Sequence, residues 1–133
     1  MSSIFTKIIH GEIPSYKIAE SQHCVAILDA FPLMKGHTLV IPKMEVDKLF
    51  DLPSEVYLDA MTFAKQMSAA IAKSFPCNRV SMHAIGLEVP HAHIHLIPIN
   101  TTNDCNFSNA KLKFSKEEFE SIAQTLRDNF TAK

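Results

Sequence analysis

Residues 89–99 read VPHAHIHLIPI, and from His91 to Leu96 imidazole and apolar side chains alternate without a break. In extended backbone successive side chains leave opposite faces, so His91, His93 and His95 share one side and Ala92, Ile94 and Leu96 the other. A helix would scatter the same six residues around its axis. The stretch predicts a strand whose apolar face is buried and whose other face carries three histidines. Such a face has to be covered by another layer of structure.

The rest of the chain supplies that layer. SIFTKIIHGEIPSYKIAES mixes Ile4, Phe5, Ile8 and Ile9 with Gly11 and Pro14, which predicts a short helix, a turn and an extended run. CVAILD and TLVIP are short β-branched runs bounded by turn residues and predict two paired strands. Between Leu52 and Phe75 the period changes. Val56, Ala60, Phe63, Met67, Ala70 and Ile71 recur at three- and four-residue intervals, predicting a helix over 54–75. RVSMHAI predicts a further strand, joined to the histidine strand by a turn at Gly86, Leu87 and Glu88. Ser115 and Glu118 form a capping-box pattern ahead of Phe119, Ile122, Ala123, Leu126 and Phe130, so a helix is expected over 115–130. The polar stretch INTTNDCNFSNAKLKF before it reads as a surface loop.

Strands and helices in this order do not alternate as a parallel sheet requires. The expected fold is α+β: an antiparallel sheet of about five strands, with a long central helix and a C-terminal helix packed on one face. All 133 residues fit one domain, 1–133, with the C-terminal helix as its extension.

A net charge of -1 gives no electrostatic footprint for nucleic acid or an anionic membrane. The N-terminus lacks the apolar run of a signal peptide and no stretch approaches a membrane span, so a cytoplasmic protein is expected. Cys24, Cys77 and Cys105 are odd in number and form no C-x-x-C pair, which predicts free thiols.

Three imidazoles in a row suit two chemistries. His-x-His can present two ring nitrogens to a metal, but here Leu96, Ile97, Pro98 and Ile99 follow, with no carboxylate or cysteine close downstream, and Glu88 lies upstream across Pro90. Alternatively a histidine is a nucleophile toward phosphorus near neutral pH, provided one ring nitrogen is tied to an acceptor and the other keeps its lone pair. The central residue, His93, then attacks, with His91 and His95 on either side to stabilise charge on phosphoryl oxygens.

The segment HAHIHLI, 91–97, resembles the signature of the histidine triad family of nucleotide hydrolases and transferases. AILDAFPLMKGHTLVIPK looks like that family's nucleotide-binding hairpin, and the N-terminal segment and central helix are also similar; the C-terminal stretch lies outside the shared pattern. The resemblance implies cleavage of a P–N or P–O bond at the α-phosphate of an AMP-type purine nucleotide through a covalent nucleotidyl-histidine. It implies no cofactor and no metal, and a homodimer joined through the central helices and neighbouring strands. It assigns His93 as nucleophile, His95 to the phosphate and departing group, and His91 and His37 to the rest of the histidine set. Asp29 falls at the ribose-binding aspartate, and Phe5, Ile8, Ile13, Ile27 and Leu28 fall at the base pocket.

This chain departs from the family pattern in three places. Leu87 stands in the turn where many relatives carry a polar, phosphate-holding residue. The asparagine that many relatives carry on the strand before the triad has no counterpart on RVSMHAI, although Ser81 and His83 fall near its place, and Ile99 follows Pro98 where an arginine is common. Two alternatives therefore stay open: a nucleotide-binding protein with little turnover, and a histidine-cluster metal enzyme.

Overall fold

The computed structural model describes residues 2–132. Helix α1 (Ile4–Ile9) is followed by β1 (Lys17–Glu20), β2 (Cys24–Leu28) and β3 (Thr38–Pro42). Then come α2 (Ser54–Ser74), β4 (Arg79–His83), β5 (Ile94–Ile99) and α3 (Lys116–Asn129). The strands form one antiparallel sheet in the order β1-β2-β3-β5-β4, as an α+β chain with these elements was expected to do.

Strands β2 and β3 are buried at every residue, because both faces of the sheet are covered there. On one face Ala26, Leu28, Val40, Ile94 and Leu96 pack against Phe63, Met67 and Ile71 of α2 and Phe119, Ile122 and Leu126 of α3. On the other face Val25, Ile27, Leu39 and Ile41 pack against Phe5 of α1. The expectation that the helices share one face therefore holds for α2 and α3 and fails for α1. A six-residue helix carries one useful apolar patch, and Phe5 buries it on the side that the two long helices leave open.

The histidine strand is shorter than its alternation suggested. β5 begins at Ile94, so His91 and His93 sit in the segment leading into it. Two backbone bonds turn that segment away from the ladder: His91 N–H to Val89 O at 2.8 Å, and Ala92 N–H to Val46 O at 2.7 Å. The side assignment survives. Ala92, Ile94 and Leu96 are buried, Ala92 against Leu52 and Val56 and the other two in the main core. β3 pairs with β5 only from Ile94 to Leu96, so Pro98 falls where β5 has a single neighbour, β4, and its missing N–H breaks no second ladder.

The start of α3 follows the sequence signal. Ser115 N–H donates to Glu118 Oε1 at 2.9 Å and Glu118 N–H to Ser115 Oγ at 3.1 Å, which satisfies two of the helix's free donors reciprocally. Entry into β3 depends on Gly36, whose φ is +97° and which ends a turn closed by His37 N–H to Met34 O at 3.0 Å. A Cβ at this position would also lie 2.7 Å from Cδ2 of Phe75, at the exit of α2. His37 is the next residue, so this turn sets where its ring starts.

Candidate active site

A cavity of about 400 Å³ opens between α1, the β2–β3 loop, the segment before β5 and the loop after β5. Phe5, Ile8, Ile27, Leu28, Asp29, His37, His93 and His95 all line it, which brings together most of the residues singled out in the sequence. Ile13 is half-buried and absent from this wall. His91 is fully buried behind it.

Hydrogen bonds fix the proton on each ring. Leu33 N–H donates to His37 Nδ1 at 3.0 Å, so that nitrogen holds a lone pair and the proton of a neutral ring sits on Nε2. His37 Nε2 lies 3.0 Å from His95 Nδ1 and donates to it, which leaves His95 with its own proton on Nε2. In the second branch His93 Nδ1–H donates to the carbonyl of His91 at 2.8 Å, leaving the Nε2 lone pair of His93 free. His91 thus supports the nucleophile through its backbone oxygen, while its ring does something else. His91 Nε2–H donates to Pro42 O at 2.7 Å, and Nδ1 accepts from the hydroxyl of Ser3 at 2.6 Å.

Burial favours the neutral form of His37, His93 and His95. It pushes His37 down to about 3 and His95 down to about 4, with the neighbouring imidazoles adding to the effect. It also lowers His93, against the opposing pull of the His91 carbonyl. Asp29 is raised above the usual carboxylate range by the same desolvation, only partly offset by the Phe31 N–H that donates to its Oδ1 at 2.8 Å. Its Oδ2 lies 3.4 Å from His37 Nε2 and 3.8 Å from His95 Nδ1. Since both imidazoles are neutral at pH 7, these approaches are dipolar contacts rather than ion pairs.

Asp29, His37 and His95 each bring one donor atom within 4.8 Å of the others, the spacing of a metal site. The tautomers argue against that use. A metal on His37 Nε2 needs a lone pair at the atom where the Leu33 bond places the proton. The trio is therefore built as a proton-ordering chain, which disfavours the metal-enzyme alternative.

Sequence reasoning missed three participants. Ser3 caps α1 by accepting from Thr6 N–H at 3.0 Å and holds the His91 ring, and its own N–H donates to Glu45 Oε1 at 2.7 Å. Phe107, in the stretch read as a plain surface loop, presents its ring edgewise to His95 and His83, with centroids 5.0 and 5.4 Å apart. Lys111 from the same loop also lines the cavity. Only Phe107 left a trace, as an aromatic in the middle of a polar run. His83 pairs directly across from His95 and donates to or accepts from Ser81 Oγ at 3.1 Å, so both fall beside the triad as the pattern suggested.

Fold and site define an α+β domain that presents ordered, uncharged imidazoles to an apolar-walled cavity over the inner strands of its sheet. The chain belongs to the histidine triad family: the HIT domain matches residues 10–102. It is 42% identical over 96 residues to adenosine 5'-monophosphoramidase HNT1 of Saccharomyces cerevisiae, an alignment covering 71% of this chain and 61% of that protein. It is 34% identical over 115 residues to adenylylsulfatase HINT3 of Arabidopsis thaliana, covering 83% of this chain and 58% of that one. In both cases the chain spans less than two thirds of the relative's length. A crystal structure of a Hit-like protein from Bartonella henselae superposes with a TM-score of 0.83 at 27% identity, covering 97% of each chain. That likeness runs through α3, so the C-terminal stretch belongs to the shared fold, contrary to the expectation from motifs alone.

Proposed function

We propose that this chain is a hydrolase or transferase that cleaves a P–N or P–O bond at the α-phosphate of an AMP-type purine nucleotide. The observation that carries the reading is the bond from His93 Nδ1–H to the His91 carbonyl, which leaves a neutral ring with a free Nε2 lone pair on the cavity wall. In the first step Nε2 bonds to phosphorus as the leaving group departs with the P–N or P–O electron pair. His95, with its proton on Nε2, can donate to a phosphoryl oxygen or to the departing atom. Water or another acceptor then attacks phosphorus, releases the nucleotide and restores His93. Asp29 accepts from the ribose hydroxyls, and Phe5, Ile8, Ile27 and Leu28 hold the base. Ile13, which does not line the cavity, is left out of that set.

The names of the relatives support the reading: one is a monophosphoramidase and one an adenylylsulfatase, both acting on adenylyl compounds. Incubation with adenosine 5'-phosphoramidate should release AMP, and His93→Ala should abolish release while still binding AMP. Equal turnover by the variant would remove His93 from its role. Binding without turnover in the unaltered protein would favour the nucleotide-binding alternative.

A homodimer is part of the same proposal. β4 is an edge strand with Met82 exposed, and Leu58 of α2 is 63% exposed, so strand and central helix each offer apolar surface to a partner. Sedimentation should give twice the chain mass. We also propose a cytoplasmic location, supported by three free cysteines; no described helix is long and apolar enough to cross a membrane.

A further inference from the structure

We propose that Lys111 recognises the negative charge of the nucleotide's phosphate, the task that the exposed Leu87 in the turn before the triad is unable to perform. The inference rests on the nucleotide reading above. Leu87 is 90% exposed and offers no side-chain donor. The imidazoles of the cavity can donate hydrogen bonds, but burial keeps His37, His93 and His95 uncharged. Two carboxylates, Asp29 and Glu88, line the same cavity. An anionic phosphate entering it would meet repulsion from that wall unless a cation stood there. Among the described residues Lys111 is the one lysine or arginine on the wall.

Its ammonium is held in place. Nζ donates to Phe107 O at 2.6 Å and to Asn109 O at 3.0 Å, which leaves the third N–H for a ligand. The loop that carries it is fastened to the far side of the cavity by Leu112 N–H to Pro32 O at 2.8 Å. Phe107 packs its ring against His37, His83 and His95 from the same loop. Its charge is felt at two residues of the wall: Lys111 opposes the upward shift of Asp29 and adds to the downward shift of His37. A neighbouring hollow that shares His93, and that Leu87 itself lines, has Lys48 and Asp47 on its wall, which makes Lys48 the competing cation.

AMP and adenosine differ only in the phosphate, so their comparison isolates the charge. Calorimetric titration of both into the unaltered protein and into Lys111→Met, Lys111→Arg and Lys48→Met should show a specific pattern. Lys111→Met should weaken AMP about tenfold and leave adenosine unchanged, as loss of a charge-assisted hydrogen bond does. Lys111→Arg should retain most of the preference, and Lys48→Met should keep it. Equal loss of both ligands in Lys111→Met, no loss, or loss confined to Lys48→Met would overturn the proposal. Failure of the unaltered protein to bind AMP would instead overturn the nucleotide reading, so the two failures are distinguishable.

Discussion

The backbone N–H of Leu33 donates to His37 Nδ1, and through that one bond orders the protons of two cavity histidines in series. A peptide N–H has no alternative proton state, so it acts as a fixed end for the chain His37 to His95. At pH 7 nitrogen NMR should find Nδ1 unprotonated and Nε2 protonated in both rings. The opposite tautomer at His95 would mean that its Nε2 has no proton to give. Replacing His37 by Ala removes the order, leaving His95 free to adopt either tautomer. Turnover should fall by roughly 10²-fold, with a smaller effect on AMP affinity.

Stability should decline as the protein is acidified, and the sign follows from burial. His37 and His95 are held at about 3 and about 4, whereas in the unfolded chain both return to about 6.5. Below pH 6.5 the unfolded state therefore binds more protons than the folded state. The stabilisation is complete above 6.5 and is lost as the pH falls from there toward 3 to 4. Between pH 7.5 and pH 5 the two sites together should remove on the order of 2–4 kcal/mol from the unfolding free energy. Urea titrations at the two pH values measure it, and a flat profile would mean the rings are charged in the folded protein.

Ser3 joins three parts of the fold: the start of α1, the His91 ring and Glu45 after β3. Ser3→Ala removes a helix cap and the partner of a buried ring nitrogen together, and should cost about 1–2 kcal/mol of stability. Because α1 carries Phe5, whose ring centroid lies 4.8 Å from that of His93, the wall of the cavity loosens with it. KM should rise more than kcat falls. A variant with full stability and unchanged KM would show that α1 is held by Phe5 alone.

The sequence made the side assignment of His91 to Leu96 legible because alternation survives even where the ladder does not. It could not show where β5 begins, since the bonds that pull Ala92 toward Val46 come from a residue far back in the chain. Nor could it show α1 crossing to the other face, which depends on how much of the sheet α2 and α3 leave uncovered. The histidine set was readable as a motif, but the division of labour within it was not. That His91 serves His93 through a carbonyl and Ser3 through its ring is a matter of tertiary hydrogen bonds. Residues 99–114 read as loop and, past Ile99 at the end of β5, are largely loop, broken by a short 3-10 turn at Thr102–Cys105, yet polarity alone concealed that Phe107 and Lys111 face the site.

Gly36 offers a test of how the hairpin presents His37. An alanine there faces two separate penalties: the φ of +97°, and the approach of its Cβ to Phe75 at 2.7 Å. Backbone strain of this kind costs roughly 1–3 kcal/mol, and the contact with a ring wedged at the helix exit adds to it. Gly36→Ala should therefore lower stability and displace His37, reducing turnover beyond what the stability loss explains. Phe75→Leu relieves the steric part while leaving φ untouched. In a double-mutant cycle the two changes should be less destabilising together than their sum, by about 0.5–3 kcal/mol, with residual loss set by the backbone. Strict additivity would show that Phe75 moves aside freely and that the positive φ alone demands glycine.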